Sequence, residues 1–89
     1  MATVIRTIDE RQLDQRLFQA SLALYDGKRV TLAPGFFRAA GITPKDLMGM
    51  LLEYLHCQEV DSCPVVPRQW HVYIDRRQDH TFVINASAR

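Results

Sequence analysis

Between Thr7 and Tyr25 apolar residues return every third or fourth position. Leu13, Leu17, Ala20 and Leu24 form one stripe, Phe18 and Tyr25 widen it, and Arg11, Gln12, Asp14, Gln15 and Arg16 fill the opposite side. That spacing predicts an amphipathic helix. Thr7 and Glu10 have the spacing of a capping box at its start, and Asp26-Gly27 ends it with a residue tolerant of positive φ. Lys28 to Leu32 then alternates, with Val30 and Leu32 on one side, as a short half-buried strand does.

The centre of the chain is Val30 to Leu55, two helices hinged on Gly41. Pro34 fits the first position of a helix ending near Ala40, and Gly41 can take the left-handed conformation where that helix stops. Thr43, Pro44 and Asp46 mark the next start: a cap, a ring-fixed φ and a carboxylate that reaches back while complementing the helix dipole. Leu47, Met50, Leu51, Tyr54 and Leu55 share a face, so this helix is predicted to run to about Cys57. Pro64 and Pro67 in CQEVDSCPVVPRQ predict a loop, after which WHVYID and HTFVINA predict a hairpin. A turn over Asp75 to Asp79 sets Trp70, Val72 and Ile74 on the core side alongside Ile84, Phe82 and His80, with His71, Tyr73, Thr81 and Val83 outside. Ala2 to Ile5 suit either a short strand or an arm.

The 89 residues, 47% hydrophobic and 24% charged, describe one globular domain, with residues 1–6 as an arm and 87–89 as a tail. Eleven Lys and Arg against ten Asp and Glu create no overall field toward nucleic acid or anionic lipid, so any such contact must come from local clustering. With no bilayer-length apolar run and no signal-peptide pattern at MATVIRTIDER, the expectation is a cytoplasmic protein without membrane contact. Cys57 and Cys63 are read as reduced thiols.

Helix, strand, helix, glycine turn, helix and hairpin together predict an α+β domain: three helices with a small antiparallel sheet. This order resembles the winged helix-turn-helix domains over roughly residues 8 to 86, and Phe36, Ala40, Ile42, Leu47 and Met50 fit the helix-turn-helix apolar offsets around Gly41. One offset departs, because Phe37 stands where a small residue usually lets the helices cross closely. The resemblance implies a DNA-binding regulator whose second hinge helix enters the major groove and whose hairpin forms the wing. It places contacts at Thr43, Lys45, Arg38, Arg76 and Arg77, with Lys28, Arg29 and Arg68 adding phosphate contacts.

The residues themselves also support a second expectation. Beyond Lys45 and Asp46 the helix offers Met48, Gly49, Leu52 and Glu53, with no Arg, Asn or Gln for base reading before Gln58. Met48 and Leu52 form an apolar row beside the core stripe, to be covered either by Phe18 and Leu22 of the first helix or by another molecule. The alternative function is therefore a protein-binding module or inhibitor using the apolar surface of helix 44–57, and a homodimer through Met48 and Leu52 fits either reading.

No cofactor motif or catalytic constellation is present, so the chain is expected not to be an enzyme. Cys57 and Cys63 do not have zinc-knuckle spacing, and His56, His71 and His80 complete no ligand set, so no structural metal is expected. Glu59 and Asp61 disfavour a Cys63 thiolate.

Overall fold

The computed structural model describes residues 9–62 and 65–89. Its elements are α1 (Glu10–Tyr25), β1 (Val30–Leu32), α2 (Phe36–Ala40), α3 (Pro44–Ser62), β2 (Trp70–Arg76) and β3 (Phe82–Ala88). This is the expected α+β order, helix-strand-helix-helix-strand-strand. Both ladders are antiparallel and the sheet order is β1-β3-β2, so Val30–Leu32 pairs with the C-terminal hairpin as the sequence pattern predicts. The arm at 1–6, with the strand suggested for Ala2 to Ile5, lies outside the described residues, as does Thr7.

α1 starts later than the Thr7–Glu10 pair implies. Asp9 is the N-cap: its carboxylate accepts from the Gln12 N–H at 2.8 Å while Gln12 Oε1 accepts from the Asp9 N–H at 3.4 Å. Aspartate caps more strongly than threonine, and a start at Glu10 puts a carboxylate in the first turn, where the dipole favours it. At the other end Gly27 takes φ 81°, and the Lys28 N–H bonds the Ala23 carbonyl at 2.9 Å.

α2 begins at Phe36, two residues after the predicted Pro34. Ala33 to Phe36 close a turn, with the Phe36 N–H donating to the Ala33 carbonyl at 3.0 Å, and Pro34 supplies the second turn position instead of the first helical one. Gly41 ends the helix at φ 68°, and its N–H and that of Ile42 both donate to the Phe37 carbonyl. Gly41→Ala is expected to lose about 1 kcal/mol of stability through left-handed strain, which an unchanged denaturant midpoint would contradict.

α3 opens on the predicted box, the Thr43 N–H donating to Asp46 Oδ2 and the Asp46 N–H to Thr43 Oγ1, each at 3.1 Å. It runs to Ser62 instead of stopping near Cys57, because its buried stripe of Leu47, Leu51 and Leu55 continues into a fourth residue, Glu59. Leu13, Leu17 and Leu24 of α1 meet this stripe, and Trp70, Val72 and Ile84 close the core from the sheet. Buried Ser21 donates to the Phe18 carbonyl and accepts from Gln58 Nε2 at 2.8 Å, tying α1 to α3.

The hairpin turns later than expected. Asp75 and Arg76 remain in the ladder opposite Val83 and Phe82, Ile74 stands opposite Ile84, and the loop closes where the Arg77 N–H donates to the Thr81 carbonyl at 2.8 Å. The slip is by an even number of residues, so Trp70, Val72, Ile74, Phe82 and Ile84 keep the predicted face. Two residues differ from the expected exposure. His80 sits exposed at the tip with φ 68°, since the turn needs a left-handed residue there. Val83, expected outside, is 5% exposed because it occupies the central strand between Thr31 and Asp75. The predicted tail is also ordered into the sheet: β3 reaches Ala88, and Arg89 exchanges backbone hydrogen bonds with Gln69 at 2.9 and 3.1 Å.

Candidate functional site

Helical spacing puts Lys45, Asp46, Gly49, Glu53, His56 and Val60 on the outward side of α3, and all are exposed. The N-terminus of this helix is already occupied: the Thr43 hydroxyl caps it and Asp46 lies over it, its carboxyl held below the usual range by the Thr43 N–H and hydroxyl. An incoming phosphate meets that carboxylate first. Gly49 leaves the middle of the face bare, since an added Cβ meets nothing within 4 Å. Lys45 stands against Asp46 and Glu53, so the surface expected to read bases has neither a basic excess nor an amide.

Arg76 and Arg77 are exposed at the end of the β2–β3 hairpin, but so are Asp75 and Asp79. Arg76 Nη2 lies 2.9 Å from His80 Nδ1, and Asp79 accepts from the Thr81 hydroxyl and N–H, which lowers its carboxyl. The tip is thus locally neutral and held by its own contacts. Arg38 is exposed on α2, next to Phe37. Phe37 meets Phe82 edge-on at 4.7 Å, and Phe82 stands opposite Arg76, so the residue that departs from the expected small offset is turned toward the β2–β3 hairpin. This aromatic pair connects the elements carrying Arg38 and Arg76, two of the residues expected to contact DNA.

Arg68, expected to add a phosphate contact, is engaged elsewhere. Its guanidinium donates to both oxygens of Glu59 at 2.7 and 2.9 Å, its backbone N–H donates at 3.0 Å, and Trp70 Nε1 adds a fourth bond at 3.1 Å. The guanidinium carbon lies 5.4 Å from the Trp70 ring centroid and 5.9 Å from that of Tyr25, and those two rings are 5.2 Å apart. Glu59 has no exposed surface, and Arg68 foremost holds its carboxyl far below the usual range against the opposing effect of burial. The cluster pins the chain entering β2 onto α3. Its signal in the sequence is the position of Glu59, four residues past Leu55 on the buried stripe.

Met48 and Leu52 are half-buried against the core. Leu52 lies two helical turns before Glu59 on the same flank, and Glu59 meets Trp70, so this row faces the β2 side. Phe18 of α1 instead meets Tyr54 edge-on at 6.1 Å, on the other flank, and Phe18 and Leu22 remain 44% and 41% exposed. Phe18 thus packs on the flank of α3 away from Met48 and Leu52.

An open groove of about 1020 Å³ lies between α1, β1 and α2, above a floor that includes Leu17, Phe36, Leu47, Leu51 and Ile84. Gln12, Gln15, Arg16 and Gln19 of α1 border one side, and Val30 to Ala33 the other. Among the described residues none that lines it is acidic, and Arg16 is the sole charged one. The described residues contain no cluster of three or more His, Cys, Asp and Glu that could hold a metal; Cys57 is exposed, and Cys63 lies outside them. No helix among them is long and apolar enough to cross a membrane. Comparisons with protein-family models, curated proteins and solved structures return no match.

Proposed function

We propose that this winged-helix-like domain is a non-enzymatic protein-binding module. The observation that carries the reading is the outward surface of α3, where bare Gly49 stands among Lys45, Glu53 and His56 with half-buried Met48 and Leu52 at its border. Such a surface has shape and some apolar area but no set of base-reading side chains. A second copy of the chain is one partner that fits the Met48–Leu52 border, by a two-fold contact.

Binding to duplex DNA, as a regulator of winged-helix type, is the second reading. The exposed positions of Arg38, Lys45, Arg76 and Arg77 favour it, and it is a backbone-contacting mode because α3 carries so little readout chemistry.

Gly49→Arg separates the two by sign. The position is open and lies inside α3, so the substitution keeps the domain folded and raises its melting temperature through better helix propensity. On a protein-binding face the bulk and charge obstruct docking, and a partner crosslinked to the parent domain is lost at least about 10-fold, the loss expected for a disrupted interface centre. On a DNA-binding face the same arginine adds a phosphate contact and strengthens a low-salt mobility shift, while Arg76→Ala with Arg77→Ala weakens it for every sequence and lowers the salt slope by up to about 2. A stronger, salt-dependent shift for Gly49→Arg overturns the protein-binding reading.

A further inference from the structure

The groove beside β1 has a wall unlike its others. Val30, Thr31, Leu32 and Ala33 all line it, successive residues whose side chains alternate between the two faces, so the groove takes in the backbone of β1 as well as its core-facing side chains. β1 is an edge strand by sheet order, and its outer side carries no strand among the described residues. The groove therefore combines three features: a backbone edge able to continue an antiparallel or parallel ladder, an apolar floor, and an opposite rim of three glutamines with one arginine.

We infer that this groove takes an extended peptide segment of a partner protein by strand addition to β1, the segment having apolar side chains at alternate positions and a carboxylate for Arg16. The inference rests on the protein-binding reading above and adds a second surface to it. A peptide backbone supplies the donors and acceptors that the edge of β1 presents, whereas an apolar small molecule leaves them facing hydrocarbon. Alternation follows from the pleat, which turns every second side chain to the apolar lining, whose partly exposed members are Ala20, Val30, Leu32 and Ala39. The sign of the charge follows from the lining, in which no carboxylate among the described residues stands with Arg16. Flanking Lys28 and Arg29, both exposed just before β1, extend the preference for an acidic segment. The glutamine side chains face the far edge of the added segment, where amides can donate to and accept from its backbone.

The probe is a fluorescein-labelled, end-capped heptapeptide, Val-Thr-Val-Glu-Val-Thr-Val, read by anisotropy with the full-length chain. Saturable binding is expected, about 10-fold or more weaker when lysine replaces the glutamate and abolished when proline replaces the residues on both sides of it, since proline removes a ladder donor. Arg16→Glu, at an exposed position that leaves the melting curve unchanged, is expected to reverse the preference between the glutamate and lysine peptides. Hydrogen exchange should slow at residues 30–33 on binding. Absence of saturable binding, an Arg16→Glu variant with the parent's preference, or protection confined to other segments each overturns the groove assignment. So does a chain shortened to begin at Asp9 that alone binds the probe, which would make the protein's own leading residues the occupant. Protection that appears only with rising protein concentration and no peptide overturns it in favour of a second copy. None of these results alters the Gly49→Arg outcome, so the groove can fail while the protein-binding reading stands.

Discussion

Glu59→Gln is expected to lower the melting temperature at neutral pH by about 10 °C or more and to flatten the loss of stability in acid. The carboxylate accepts four hydrogen bonds, all from donors: the Arg68 N–H, Nε and Nη2 and the Trp70 indole N–H. Glutamine matches the shape but replaces one oxygen with an NH2 group, so a donor is buried facing donors. Arg68 softens the loss because its side chain is 49% exposed and can rehydrate, while the fully buried amide cannot. The pH dependence has a definite sign. The Glu59 carboxyl lies far below its ordinary value of about 4.5 in the folded chain, so its contribution is complete above that pH and is lost progressively as the pH falls below it. Between about pH 5 and pH 2 the parent therefore loses stability steeply, and the variant starts lower and falls less. Some slope persists in the variant, because Asp46 and Asp79 also have lowered values from their hydrogen bonds to Thr43 and Thr81. Thermal melts at neutral pH and across this acid range measure both effects, and a variant that melts with the parent at pH 7 would show that the network holds nothing.

The same cluster marks where the sequence stopped being legible. Local signals carried well: the Thr43–Asp46 box, the left-handed Gly41 and the alternation of Val30 and Leu32 depend only on neighbours a few residues apart, and each is found where predicted. Hairpin register carried by parity alone. An even slip leaves the strand side chains on their faces, so Trp70, Val72, Ile74, Phe82 and Ile84 were placed correctly with a wrong turn position, while His80, taken into the turn, was not. What failed depends on tertiary partners. A glutamate in CQEVDSC reads as a loop residue until Arg68 and Trp70 are brought to it, and with it five more residues join α3. Val83 reads as outward until β1 is placed on one side of β3 and β2 on the other. The groove has no local signature at all: its rim is the polar side of α1, and its wall is a strand edge whose openness is a property of sheet order. The candidate contacts at Arg38, Lys45, Arg76 and Arg77 were legible as exposed charges, but their neighbours Asp46, Asp75 and Asp79, equally visible in sequence, gain their weight only from the folded arrangement.

Leu51→Ala and Leu52→Ala, one residue apart on α3, are expected to differ by about 2 kcal/mol or more, and that difference measures how much of the apolar row is left for a partner. Leu51 has no exposed surface and lies where α1, α3 and the sheet converge, so truncation removes its transfer free energy and leaves a void that the surrounding leucines cannot fully close. A loss of about 3 kcal/mol or more is expected, which in a domain of this size lowers the melting temperature by about 12 to 24 °C. Leu52 is half-buried on the flank toward β2, where solvent fills the space its side chain leaves, and about 1 kcal/mol is expected. Partner binding should reverse the order. Leu52→Ala removes apolar area that lies at the border of the outward α3 surface and weakens a complex formed there, while Leu51→Ala, at a concentration and temperature where it stays folded, leaves the contacting atoms in place. Equal destabilisation by the two substitutions would mean that Met48 and Leu52 belong wholly to the domain's own core, and the surface offered to a partner by α3 would shrink to Lys45, Gly49, Glu53 and His56.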